Sequence, residues 1–192
     1  GADGICISSV DATGLDSALT DAISSGVTVG TWDSDVSDTA RTLIVSQGTP
    51  DILGQMLVDM GADSLTKRGK NPETDTIKYC WHYSQATVAD QNSWQVAGEA
   101  YIKEHYPNWE NVAPDNYYSE QDAEKAVSIG ASILEAHSDI DLIICNDSTA
   151  LPGQCKAAQN KGMTKEDVTI TGFASPMSIK DYCEAGVIEQ WG

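Results

Sequence analysis

Long apolar runs are missing from this chain. No stretch reaches the roughly 18 consecutive apolar residues that a membrane-spanning helix needs. Positive charge is scarce as well: 11 Lys and Arg stand against 29 Asp and Glu, for a formal net charge of −18. Such a surface repels phosphate backbones and anionic lipid, which argues against nucleic acid and membrane faces as partners. Paired cysteine motifs are absent too. The five cysteines, Cys6, Cys80, Cys145, Cys155 and Cys183, are irregularly spaced without a C-x-x-C pair, so a zinc ribbon or thioredoxin-like site is not expected. They read as buried free thiols behaving as small apolar residues. Catalytic signatures are also lacking: there is no G-x-S-x-G elbow, Walker loop, H-E-x-x-H or G-x-G-x-x-G. His82, His105 and His137 are scattered, without metal-ligand spacing. The sequence therefore predicts no catalytic residue, no metal and no cofactor.

What is present is an alternation. The 192 residues, 41% of them apolar, suit one large domain or two small lobes. Short apolar runs over residues 5–10, 27–32, 42–46, 76–83, 140–145, 168–173 and 187–191, with a weaker one around Val112, predict strands. Between them lie helical periodicities, such as Leu15, Leu19, Ala22 and Ile23, which Gly26 stops. Thr49-Pro50-Asp51 reads as a helix start: a capping hydroxyl, a residue needing no amide donor, and a carboxylate complementing the dipole. Residues 66–74, with Lys67, Arg68 and Lys70, read as a solvated basic turn. This order predicts an α/β protein with parallel sheets flanked by helices. The strand-like openings at both ends lead us to expect further chain before Gly1 and after Gly192, and no signal peptide is visible.

In open α/β sheets ligands bind beyond the carboxyl ends of the strands. At those ends stand Asp33-Ser34-Asp35, Asp90-Gln91-Asn92, Asn146-Asp147-Ser148 and Ala174-Ser175-Pro176. Three of the four carry carboxylates and amides, which exchange strong hydrogen bonds with hydroxyls and suit a small polyhydroxylated ligand. Trp32 offers a flat apolar face for a sugar ring, or else belongs to the core. Each polar residue has a plain alternative: Asp90, Asn146, Asp147 and Ser148 are all of types that cap helices or make turns.

The same positions carry a resemblance. Thr31-Trp32-Asp33-Ser34-Asp35, Arg41, Ser46-Gln47-Gly48-Thr49-Pro50, Leu53-Gly54-Gln55-Met56-Leu57, Asp90-Gln91-Asn92-Ser93-Trp94, Ala150-Leu151-Pro152 and Gly172-Phe173 follow one another in collinear order over essentially the whole chain. Together they resemble the Lsr-type autoinducer-2 receptors, extracytoplasmic binding proteins of ABC importers. The resemblance implies a two-lobed type I periplasmic-binding-protein fold, and a monomer that lies in the periplasm or is lipid-anchored outside the membrane. It implies a cyclic tetrahydroxylated form of autoinducer-2 as ligand and the importer's membrane subunits as partners. It assigns ligand contacts to Asp33, Asp90 and Gln91, with Asn146 and Ser148 at two further contact positions where such receptors carry Pro and Ala. A lysine of the family falls before Gly1. It also sets lobe boundaries: residues 1–47 and 174–192 in the first lobe and 48–173 in the second, with Gly48 and Ala174-Ser175 as hinges.

Three other readings remain open at this stage. Asn146 and Ser148 suit a monosaccharide receptor for ribose or rhamnose. Asp33-Ser34-Asp35-Val36 mimics the nucleophile and general-acid motif of haloacid-dehalogenase-type phosphatases. That chemistry needs a lysine and a magnesium-binding acidic pair at later strand ends, whereas Asp139 and Asp141 precede their strand. A sugar-responsive regulator shares the fold class, but the acidic balance opposes DNA binding.

Overall fold

The computed structural model describes residues 1–192 as two α/β units. The first holds a three-stranded sheet, β1 (Gly4–Ile7), β2 (Thr28–Trp32) and β3 (Leu43–Val45), in sequential order and wholly parallel. Helix α1 (Asp16–Ser24) crosses between β1 and β2. Its core is small, built from Leu19, Val29, Val36 and Ala40. All three residues of β3 are exposed.

The second unit holds β4 (Ile77–Tyr83), β5 (Trp109–Asn111), β6 (Tyr117–Tyr118), β7 (Leu142–Cys145) and β8 (Thr169–Gly172). The order is β5-β4-β7-β8, with β6 pairing the far end of β4. Every pairing is parallel. Helices α2 (Pro50–Lys67) and α3 (Ala89–His105) cover one face; α4 (Ala123–Ala136), α5 (Ala150–Asn160) and α6 (Pro176–Glu184) belong to the other.

Alternation along the strands explains this sandwich. Side chains point to opposite faces in turn. Leu142 and Ile144 of β7 therefore join Leu57, Leu65 and Trp81 on the α2/α3 side, while Ile143 and Cys145 join Ile133, Leu151 and Cys155 on the other. Both faces are covered, so the strand reads as a continuous apolar run. The two clusters hold 15 and 16 buried residues against 4 in the first unit. At about 1.5–3 kcal/mol for each large buried side chain, the second unit supplies most of the stabilisation from burial.

Local sequence sets the helix starts. The Thr49 hydroxyl accepts from the amide of Ile52 with Pro50 in the first turn, and Asp122 accepts from Lys125 at 2.8 Å. One glycine is required by closeness: a Cβ on Gly54 would sit 2.5 Å from the Trp94 carbonyl oxygen. Its absence lets α2 and α3 touch backbone to backbone around Trp94 and Gly98, which fixes how α3 lies on α2.

Four expectations are corrected here. Residues 174–192 do not return to the first sheet: Ile179, Val187 and Ile188 are buried with Cys155 and Ile170 in the second unit. Ala174 and Ser175 thus lie inside one unit, and the chain crosses between units only once, around Gly48. Residues 187–191 form no strand, although the Gly192 amide donates to the Gly172 carbonyl at 3.0 Å and runs that end alongside β8. The basic turn is no free solvated loop, because Arg68 and Lys70 both pair with Asp141, and Lys67 pairs with Glu189. Of the cysteines, all unpaired, Cys80, Cys145 and Cys155 are buried as expected, whereas Cys6 is exposed and Cys183 half-buried.

His82 gives the fold an acid-sensitive point. It is fully buried on β4, with Nδ1 3.0 Å from Oε1 of Gln154 and Nε2 without a partner. Burial pushes its pKa down to about 4, against the opposing pull of the Gln154 bond. The unfolded chain, with an ordinary histidine pKa of about 6.5, therefore binds more protons in between. The neutral ring's contribution is fully present above pH 6.5 and is lost as pH falls toward 4. Acid unfolding followed by circular dichroism should show this slope, and His82→Gln should flatten it; an identical slope in the variant would remove His82 from the account.

Candidate functional site

A cavity of about 460 Å³ opens where the two units meet. Asp33 and Gln47 reach it from the β2 and β3 ends of the first unit. From the second come Gln91 at the start of α3, Asn146, Asp147 and Ser148 after β7, and Phe173 after β8. Leu53, Met56 and Trp94 supply apolar wall, with the Trp94 ring edge-on to Phe173 at 5.7 Å. No Lys, Arg or His lines it.

Asp33 follows β2 in the left-handed backbone region, φ 63°, which Asp tolerates better than most residues. Its carboxylate accepts from the side-chain amide of Gln47. The loop behind it is braced by Asp35, which takes the Thr31 hydroxyl at 2.6 Å and Arg41 Nε at 2.8 Å. Burial alone would raise the Asp35 pKa, but the Thr31 and Arg41 bonds outweigh it and hold the carboxyl below its ordinary value. Asp35 is thus committed to an ion pair and is not poised as a general acid. Asp139 pairs with Lys78, and Asp141 with Arg68 and Lys70, at the opposite strand end. The acidic pair that a phosphatase would use for magnesium is already neutralised and remote from Asp33.

The capping alternatives divide clearly. Asp147 is the cap of its turn: its carboxylate accepts from the amides of Thr149 at 2.9 Å and Ala150 at 2.6 Å. Burial raises its pKa in spite of those bonds. Asn146 caps nothing. It is 1% exposed, its amide nitrogen donates to the Gln91 carbonyl at 3.1 Å, and its Oδ1 has no partner. Asp90 does not cap α3 either. The residue preceding the helix is Val88, there is no side-chain cap, and Asp90 Oδ2 is buried without a partner. Burial raises the Asp90 pKa; the Ser34 hydroxyl opposes this, while the charges of Asp33 and Asp35 add to it. An unpaired buried acceptor costs about 1–3 kcal/mol, so two at one seam mark it as built for donors that come from elsewhere.

Four of the five residues nominated from sequence, Asp33, Gln91, Asn146 and Ser148, thus line one cavity. Asp90 lies just outside the lining, at the seam beside Ser34. Trp32 is 52% exposed and takes no part in the cavity, so neither its ring-stacking nor its core reading holds. Gln47, Met56, Trp94 and Phe173 were not nominated. For Gln47 and Phe173 the signal is positional, since each follows a strand; Met56 and Trp94 lie one turn into α2 and α3, where apolar periodicity does not separate a cavity wall from core.

The whole chain, residues 1–192, matches the model of the periplasmic binding protein domain. The chain belongs to that family. It is similar to the solved structure of LsrB from Clostridium saccharobutylicum in complex with AI-2, with 70% identity over 100% of this chain and 59% of that one, at a TM-score of 0.98. It also matches an ABC transporter solute binding protein from Clostridium phytofermentas with bound L-rhamnose, at 24% identity, 94% and 53% coverage and TM-score 0.80. A carbohydrate transporter solute binding protein from Agrobacterium radiobacter, in complex with D-arabinose, matches at 17% identity, 98% and 61% coverage and TM-score 0.86. The last two share the fold alone. This periplasmic binding protein domain spans 59% of the length of the LsrB chain it matches.

Proposed function

We propose that this chain is the ligand-binding core of an extracytoplasmic substrate-binding protein of an ABC importer, that it binds AI-2, and that it performs no chemistry. The observation that carries the reading is the 70% identity, over its full length, to a receptor solved with that signal. The site chemistry supports it. The cavity is rich in acceptors, has an apolar wall, and is framed by Asp33 from one unit and Gln91, Asn146 and Ser148 from the other. A small molecule carrying several hydroxyls bridges the two units, and Asp90 at the seam takes a further donor. Closure follows only if the ligand binds the closed form better than the open one, which a bridging ligand does. Gly48, where the chain passes from the first unit to the second, acts as a hinge. The closed monomer then docks on the membrane subunits of the importer.

A monosaccharide such as L-rhamnose is the second reading. It is favoured by the unpartnered Oδ1 of Asn146, which asks for a hydroxyl donor without selecting among polyols.

The test is ligand release. The full-length protein is purified from cells that make AI-2 and heat-denatured, and the released molecule is identified by mass spectrometry, with Asp33→Ala alongside. AI-2 from the wild type and none from the variant is the expected result. A sugar in its place keeps the importer receptor and sinks the signal assignment. No ligand, and no binding on titration with AI-2 or monosaccharides, sinks both.

A further inference from the structure

Behind the cavity lies a partly buried polar relay that ligand contact does not itself require. Tyr83 ends β4 and is fully buried, its ring 5.8 Å from that of Tyr118 and 6.4 Å from that of Trp81. Its hydroxyl lies 3.0 Å from the Gln91 carbonyl oxygen and touches the side-chain amide of Gln95. The Asn146 amide adjoins the same hydroxyl. Gln95 in turn faces Asn116 amide to amide, with the two bonds at 2.8 and 3.0 Å. Asn116 stands in the β5–β6 loop at φ 58°, a left-handed conformation that Asn tolerates.

Proton counting gives this relay a direction. A phenol has one proton to donate. Two facing amides can be turned over together without losing either mutual bond. The structure turns Gln95 Oε1 toward the phenol and the Asn116 nitrogen; with both amides turned over, the Gln95 nitrogen donates to the phenol, which then gives its one proton to the Gln91 carbonyl. That carbonyl then holds two donors, Tyr83 and the Asn146 amide nitrogen at 3.1 Å. The Asn146 nitrogen is committed inward because that carbonyl, held in place by Tyr83, can only accept, and its oxygen is the atom left unpartnered at the cavity wall. Were the amide to turn, the wall would present a donor instead.

We propose that Tyr83 is a positioning residue for the ligand cavity: its hydroxyl, oriented by the Gln95–Asn116 pair, fixes the Gln91 carbonyl and through it the direction of the Asn146 amide. This inference rests on the cavity being the ligand site. It makes Asn146 an obligate acceptor, so the ligand must place a hydroxyl donor there.

Tyr79 provides the control. It is a second buried tyrosine of the same strand, but its hydroxyl donates to Glu99 at 2.6 Å, away from the cavity. Calorimetric titration of the full-length protein with AI-2 compares wild type, Tyr83→Phe, Tyr79→Phe, Asn146→Ala and the double variant Tyr83→Phe/Asn146→Ala. If AI-2 gives no heat, L-rhamnose and then D-arabinose replace it as probe. Tyr83→Phe should weaken binding about fivefold to tenfold, the effect of one lost hydrogen bond. Tyr79→Phe should leave affinity unchanged even where its melting temperature falls as far. In the double variant the loss should equal that of Asn146→Ala alone, because a residue acting through Asn146 has nothing further to remove. Wild-type affinity in Tyr83→Phe overturns the inference and leaves the ligand reading intact; so do additive losses in the double variant. A wild type that binds none of the three probes overturns the ligand reading, and this inference with it.

Discussion

Asp141→Ala should lower the unfolding free energy of the second unit by about 3–5 kcal/mol, the usual cost of removing one partner from a buried ion pair. Asp141 stands just before β7, 7% exposed. Its Oδ1 lies 3.0 Å from Arg68 Nη2 and 2.6 Å from Lys70 Nζ, and its Oδ2 accepts the Lys78 amide at 3.1 Å. Arg68 also donates to the Asp141 carbonyl at 3.0 Å and to the Thr169 hydroxyl at 3.2 Å. One carboxylate thus joins the end of α2 to β4 and lies beside β8. Its loss leaves the Arg68 guanidinium, whose side chain is only 10% exposed, without a counter-charge. The surface pair Lys180–Glu184, at 3.7 Å on α6, is the contrast: removing it should cost no more than about 1 kcal/mol. Urea unfolding read by tryptophan fluorescence measures both, since Trp81, Trp94 and Trp109 are all buried in this unit. A loss below 1 kcal/mol for Asp141→Ala would show that solvent already screens the cluster.

That cluster also marks what sequence reading could reach. The apolar run around Ile143 was legible because a strand covered on both faces needs apolar residues at every position. The pairing of Lys67, Arg68 and Lys70 with carboxylates more than seventy residues away was not, because charge sequence carries no record of which loops the fold brings together. Residues 187–191 failed for a related reason. Their apolar pattern reports burial correctly, as Val187 and Ile188 show, but burial beside β8 does not require a continuous ladder. Residues 174–192 went to the wrong unit because that boundary came from the family resemblance, and periodicity, which says that α6 packs but not upon which sheet, could not correct it. The apolar run around Cys6 predicts a buried thiol on the same local grounds, whereas Cys6 is exposed on β1.

The cavity was more legible than the packing. Parallel strands place their carboxyl ends on one side, so polar residues following strands converge whatever the details of the helices between. Asp33, Gln91, Asn146 and Ser148 obey that rule. The relay behind them does not show itself in sequence. Gln95 and Asn116 meet only because α3 and the β5–β6 loop close on the same end of β4, and a half-buried glutamine on a helix has no pattern that separates it from a solvated one. Asp90 was ambiguous between a cap and a ligand contact. Only the absence of any cap bond, together with the bare Oδ2, removes the first option.

Asp90 accordingly gives a prediction with two opposite signs. Asp90→Asn in the full-length protein should raise the stability of the ligand-free form and weaken AI-2 binding by about one to two decades. The gain follows from the direction of the pKa shift. Burial, together with the nearby charges of Asp33 and Asp35, raises the folded pKa above its ordinary value of 3.8, so the charged form is disfavoured at neutral pH. Wild-type stability should therefore recover as pH falls through that folded pKa toward 3.8, while the variant lacks this term. The advantage of Asn is thus fully present at neutral pH and vanishes in acid. The loss of affinity follows from the same oxygen: a ligand hydroxyl that reaches Oδ2 makes a charge-assisted bond worth about 1.5–3 kcal/mol, which a neutral amide oxygen does not match. Thermal melting with and without AI-2 reads both effects in one experiment. The variant should melt higher when empty and gain less from ligand. If it melts lower when empty, Asp90 is a structural partner whose bond is made within the chain. If affinity holds while empty stability rises, the ligand never reaches the seam, and Asp90 serves only to keep the two units apart by like charge until the cavity is filled.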